Sequence, residues 1–417
     1  MSRRYIGYIL TAVIILSILA VLAVSLFVDF DRYSVTYEAS IGGIIVGKTE
    51  QSVREGKNAK TVTAVPNDGY RFLKWSDTCD PNPTRTDTNI TEDISAKAIF
   101  LKISDIKYEI LLIYVTEVQA TFTTADGIEV VADYKMDERD LQLCHMITTQ
   151  FDIYLNETFD GLVTFEIDEY YTHEVMREEN CHYRYYDGVY LDVSVFAEDI
   201  PEVADMLDEY ECYLTASIMT DPDLLLNYST GIGNYKSGTI HLNEYLNPTM
   251  GGDIVQDRLL SSYNYYQWNH LMRTYLHEFT HTVEQGLSVS YEAPYHLVLM
   301  EYNALYNHEL LEVTRLYLLN QAVYQGRTVG IPFPAWTKEV YTLRYQVNDA
   351  NMGYISGGLL PNTLPLRVAK GYDSGEVTAV PWRGYKFVMW SDGVTTATRV
   401  DTNVQCDITV TAIFAPE

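Results

Sequence analysis

His277-Glu278-Phe279-Thr280-His281 sets two imidazoles four residues apart with a carboxylate next to the first of them. On a helix, side chains four apart leave the same face one turn apart. Two neutral imidazoles at that separation can grip a single Zn²⁺ from one side. Glu278 can then take a proton from the water that the metal activates. The blander reading is a helix whose two histidines are surface or satisfied core residues.

These residues need a helix under them, and the surrounding pattern provides one. Trp268, Leu271, Met272, Tyr275, Leu276, Phe279 and Val283 recur at threes and fours through Tyr265–Leu287, with no Pro or Gly before Gly286. That is an amphipathic helix closed by a glycine. A catalytic zinc also needs a third protein ligand. The metzincin pattern H-E-x-x-H-x-x-G-x-x-H fails, because Glu284 stands at the glycine position and Leu287 at the last histidine. After a loop at Ser288–Pro294, Tyr295–Gln325 reads as a long helix. Glu301 lies on it, 20 residues beyond His281, with Leu297, Leu305, His308 and Glu312 down the same side. A carboxylate there completes a His₂Glu set and leaves a fourth position for water. His308, Glu309 and Glu312 are the rival donors, and a solvated glutamate is the plain alternative.

These residues resemble the gluzincins, thermolysin-like zinc peptidases with H-E-x-x-H on one helix and a ligand glutamate on the next. The resemblance covers about 35 residues. It implies zinc held by His277, His281 and Glu301, with Glu278 as general base in peptide hydrolysis. The aspartate found four residues after the third ligand in many such enzymes is Leu305 here. A carboxylate that orients a metal-bound imidazole must therefore come from elsewhere or be absent.

Upstream of the motif, Ile110–Val115, Gln119–Thr124, Leu162–Ile167 and Val189–Phe196 read as strands, and Glu202–Leu214 reads as a helix. Thr239–Leu242 is a further strand, placed where zinc peptidases form the edge of the substrate cleft. His241 lies on it, and a lone strand histidine is read as structural.

A repeat frames this region. Thr63–Asp77 (TAVPNDGYRFLKWSD) returns as Thr378–Asp392 (TAVPWRGYKFVMWSD), offset by 315 residues. Thr84–Phe100 likewise matches Thr398–Phe414, and Tyr33–Tyr37 corresponds to Tyr341–Tyr345. Short alternating runs between Gly, Asn and Asp predict two small β domains with Tyr70, Phe72 and Trp75, or Tyr385, Phe387 and Trp390, in their cores. Both units resemble divergent internalin-type B repeats. That resemblance implies spacer or adhesive modules outside the cell and no chemistry of their own.

Tyr5–Val28 carries no charged residue and is long enough to cross a bilayer as a helix. Arg3 and Arg4 precede it, which predicts a cytoplasmic N-terminus and an extracellular remainder. An uncleaved anchor is preferred to a signal peptide because the apolar run is long and lacks a small-residue cleavage site. The net charge of −28 argues against nucleic acid as a partner, since phosphates would be repelled. Five cysteines without a CxxC leave cysteine zinc sites and thioredoxin-like redox chemistry unsupported, and Cys181–Cys212 is a disulfide candidate whose spacing alone does not decide it. Sequons at Asn89, Asn156 and Asn227 fit an exported chain.

The expected architecture is multidomain, with an N-terminal transmembrane helix and two small all-β repeat domains flanking an α+β zincin-like domain. Its boundaries are a cytoplasmic stub at 1–4, an anchor at 5–28, repeats at 32–101 and 341–415, and a peptidase domain at 102–339. The expected activity is membrane-anchored, extracellular, zinc-dependent hydrolysis of a peptide or protein, with surface or matrix ligands for the repeats. The alternatives are a non-catalytic surface adhesin with a vestigial H-E-x-x-H and a domain that zinc merely stabilises.

Overall fold

The alternating runs of the first repeat fold as seven strands: β1 (Arg32–Ala39), β2 (Gly43–Gly47), β3 (Glu50–Arg54), β4 (Val62–Pro66), β5 (Tyr70–Trp75), β6 (Thr84–Arg85) and β7 (Ile94–Lys102). They come from a computed structural model. It describes residues 31–417 except 79, 124–126, 128, 187–189, 219–230, 234–235, 243–264, 286, 288–294, 303–309 and 358–364, and earlier only 13–15 and 17. The chain divides into two compact units, Met1–Phe100 and Leu101–Glu417. In the first, the strands form two sheets, ordered β3-β1-β7-β5 and β2-β4-β6. The first and last strands lie side by side and parallel, from Val35 opposite Ile94 to Ala39 opposite Ala98. Between the sheets sit Val35, Tyr37, Val62, Trp75, Ala98 and Phe100. Gly43 is required by this packing, because a Cβ there would come within 2.3 Å of the Phe100 ring.

The repeated Thr-Arg-x-Asp and Trp-Ser-Asp sequences meet in space. Arg85 bridges Asp77 and Asp87 at 2.6 and 2.8 Å. Its guanidinium lies 5.4 Å from the Trp75 ring centre and 5.9 Å from that of Tyr37. Trp75 is 1% exposed, and its indole N–H donates to the Asn82 carbonyl. Trp75→Ala should therefore cost about 3–5 kcal/mol, a large share of a small module's stability. Denaturant titration checks this, and a loss below about 1 kcal/mol would mean the tryptophan is not a keystone.

The second unit begins with β8 (Lys107–Val115), the hairpin β9 (Glu117–Thr123) and β10 (Glu129–Lys135), helix α1 (Glu138–Phe159) and β11 (Thr164–Tyr171). A second hairpin follows, β12 (His182–Tyr186) and β13 (Tyr190–Ser194), then β14 (Cys212–Ser217), β15 (Gly231–Gly233) and β16 (Ser237–His241). Next come α2 (Tyr265–Gln285), α3 (Tyr295–Glu301), α4 (Leu310–Leu318), a small hairpin of β17 (Ala322–Tyr324) and β18 (Arg327–Val329), and the short α5 (Phe333–Trp336). The central sheet has the order β11-β8-β14-β16-β15. Its first four strands are mutually parallel, and β15 runs antiparallel at the edge.

This sheet is buried on both faces, which explains the unbroken apolar run of β8. Ile110, Leu112 and Tyr114 face a core built with α1, α2, α3 and α4. Leu111, Ile113 and Val115 face a second core with Val118, Phe122, Val193 and Val203. Helix α1 starts at a capping box in which Asp137 accepts from the Arg139 and Asp140 amides, and it ends at left-handed Asp160, φ 44°.

The second repeat repeats the first strand for strand: β19 (Val340–Val347), β20 (Gly353–Gly357), β21 (Leu366–Ala369), β22 (Val377–Pro381), β23 (Tyr385–Trp390), β24 (Thr398–Arg399) and β25 (Ile408–Pro416). The sheet orders are β21-β19-β25-β23 and β20-β22-β24. Arg399 takes the place of Arg85, bridging Asp392 and Asp401 over Tyr345 and Trp390. Gly353 packs against Phe414 as Gly43 does against Phe100.

Several expectations are corrected. The chain is mostly β, 42% strand against 22% helix, rather than an α+β zincin-like domain between small β units. Among the described residues no helix is long and apolar enough to cross a membrane. Of the two longest, α1 carries Asp, Glu and Arg and α2 carries Arg273, Glu278 and Glu284. The 5–28 segment expected to span the membrane lies outside the described residues except for 13–15 and 17. The helix expected at Glu202–Leu214 is instead a 3₁₀ turn at Leu207–Glu209 followed by the wholly buried strand β14. Cys181 and Cys212 are both free thiols. Asn156 is buried, and its side chain bonds Phe165, so this sequon is closed in the folded chain.

Candidate metal centre

Helix α2 packs Met272, Tyr275, Leu276, Phe279 and Val283 into the first of these cores. With that stripe fixed, His277 and His281 are directed to the opposite side, their rings 4.7 Å apart. A third imidazole meets them there. His296, in the first turn of α3, brings its Nε2 to 2.8 Å from that of His277 and 3.0 Å from that of His281. The Nε2 atoms of His277 and His281 are themselves 3.2 Å apart. Among the described residues this is the one cluster of three or more His, Cys, Asp or Glu side chains spaced to hold a metal.

The triangle fits zinc. Tetrahedral bonds of about 2.0–2.1 Å to nitrogen place neighbouring donors roughly 3.3 Å apart, close to the edges observed. Burial, together with the imidazoles of His281 and His296, holds the pKa of His277 down to about 2. Burial and His281 also lower that of His296. Both rings are therefore neutral near pH 7, the form that binds a metal. His296 is exposed, so the cluster has an open side.

Glu278 is 3% exposed, and among the described residues no donor is hydrogen-bonded to its carboxylate. Burial pushes its pKa up to about 7, against the opposing pull of His281. A buried carboxylate poised near neutrality suits proton transfer. Glu284, also buried, accepts from the Tyr295 amide at 2.7 Å and the Tyr317 hydroxyl at 2.9 Å, and lies 3.1 Å from His281 Nδ1.

Glu301 is not brought to this cluster. It ends α3, and its carboxylate accepts from the Gln325 amide at 3.1 and 3.2 Å. It stands five residues past His296, about 140° further round a helix, and so faces another way. Glu312 pairs with Arg315 at 2.6 Å, while His308 and Glu309 lie outside the described residues. The expected long helix is two helices, α3 and α4, with 303–309 undescribed between them. His296 does not stand out in a pattern that places the third donor as a glutamate well along a single long helix. The available signal was its place just after Pro294, where a new helix returns beside the end of α2.

The two flanking units match a known family. The model of the divergent InlB B-repeat domain covers residues 33–104 and 367–417. The chain carries this B-repeat domain at both segments. No curated protein and no solved structure matches the chain. The second B-repeat match starts late although its strands begin at Val340. Residues 358–365 stand between β20 and β21 where the first B-repeat has only Lys48 and Thr49.

Proposed function

We propose that the region between the B-repeats is a zinc-dependent peptidase working outside the cell, with His277, His281 and His296 as ligands and Glu278 as general base. The observation that supports it most is the triangle of three Nε2 atoms, with the buried Glu278 carboxylate feeling the charge of His281. Zinc held there would supply a Lewis acid and lower the pKa of a water. Glu278 takes a proton from the attacking water as its oxygen adds to the peptide carbonyl carbon. It returns that proton to the departing amine nitrogen as the C–N bond breaks. Among the described residues the antiparallel strand β15 is last in its sheet and touches α2, a place where an extended peptide would pair as a further strand.

The exterior location rests on the B-repeats, a cell-surface repeat type, which could also hold surface ligands. They equally favour a second reading, a surface-binding protein without catalysis. Zinc analysis of the purified chain and cleavage of a peptide library, with and without chelator, separate the two. Stoichiometric zinc with chelator-sensitive cleavage supports the peptidase. A chain free of zinc and inert to all peptides would sink it.

A further inference from the structure

We propose that Glu284 is the positioning residue of this centre. One of its oxygens sets the ring state of His281, and the other fixes the start of the helix that carries His296. This rests on reading the histidine cluster as a metal site. Glu284 follows His281 by three residues, nearly one turn, and its side chain is 4% exposed. A carboxylate so placed is costly unless donors surround it. Three do: His281 at Oε2, with the Tyr295 amide and the Tyr317 hydroxyl at Oε1.

Glu284 Oε2 lies 3.1 Å from His281 Nδ1, and a carboxylate oxygen accepting at that distance places the ring proton on Nδ1. Nε2 is then left with its lone pair, and Nε2 is the atom that meets His277 and His296. On the other side, Tyr295 is the first residue of α3 and immediately precedes His296. Holding its amide fixes where α3 begins. Tyr317 on α4 ties the same oxygen to a third helix. A single side chain thus governs two of the three ligands.

The test uses the full chain. In metal-free wild-type protein, ¹⁵N NMR should show the His281 ring protonated at Nδ1; finding it protonated at Nε2 would overturn the proposal. Glu284→Gln keeps an oxygen for Tyr295 and Tyr317 and turns an NH₂ toward Nδ1. The ring should then move its proton to Nε2, and zinc affinity, read by competition with a chromophoric chelator, should fall roughly 10–100-fold. An unchanged tautomer with zinc affinity within about twofold of wild type also overturns the proposal. Glu284→Ala should lose affinity further and lower the melting temperature, because both functions go together. If wild-type protein binds no zinc, the metal reading fails by itself, while the tautomer still decides the part played by Glu284.

Discussion

Glu278→Gln should keep zinc at one ion per chain and lose most turnover, a fall in kcat of roughly 10²–10⁴-fold. The substitution preserves volume and polarity in a pocket where the residue is 3% exposed, so the fold has little reason to respond. What it removes is the ability to accept a proton. The three imidazoles are untouched, so metal content separates loss of chemistry from loss of the site. Steady-state cleavage of the best library peptide, normalised to bound zinc, gives the answer. A variant as fast as wild type means that the proton is taken by some other group.

His296→Ala should release the metal, whereas Glu301→Gln should retain it. An outer partner of a ligand is worth about 10–100-fold in metal affinity, and removing a ligand itself should exceed that. Glu301 is occupied by the Gln325 amide, and glutamine can still accept that bond, so its loss should cost little. Chelator competition on the two variants reads the contrast directly. The opposite ordering would restore the glutamate read from the sequence and leave His296 as a bystander.

The motif helix was legible because two independent patterns coincide in it: the apolar stripe from Met272 to Val283 and the pair His277 and His281. The duplicated β units were legible because their cores are written in long, nearly literal matches. The third imidazole of the cluster was not. Its position depends on where the chain re-enters the core after α2, and that is set by Glu284, Tyr295 and Tyr317 meeting across three helices. Glu202–Leu214 misled for a related reason. Its apolar spacing is helical, yet Val203 and Leu207 pack under a sheet, and Cys212 begins a strand flanked on both sides by parallel neighbours. Tertiary pairing overrode the local pattern. The number of strands in this unit was likewise hidden, because strands buried on both faces lose their alternation.

In each B-repeat the entering and leaving strands are hydrogen-bonded in parallel, β1 to β7 and β19 to β25. Their free ends therefore point in opposite directions along the same ladder. Tension applied between those ends pulls the strands past each other and loads every rung together, whereas adjacent ends would open them one by one like a zip. A pull between the ends of either module would therefore meet the whole ladder at once.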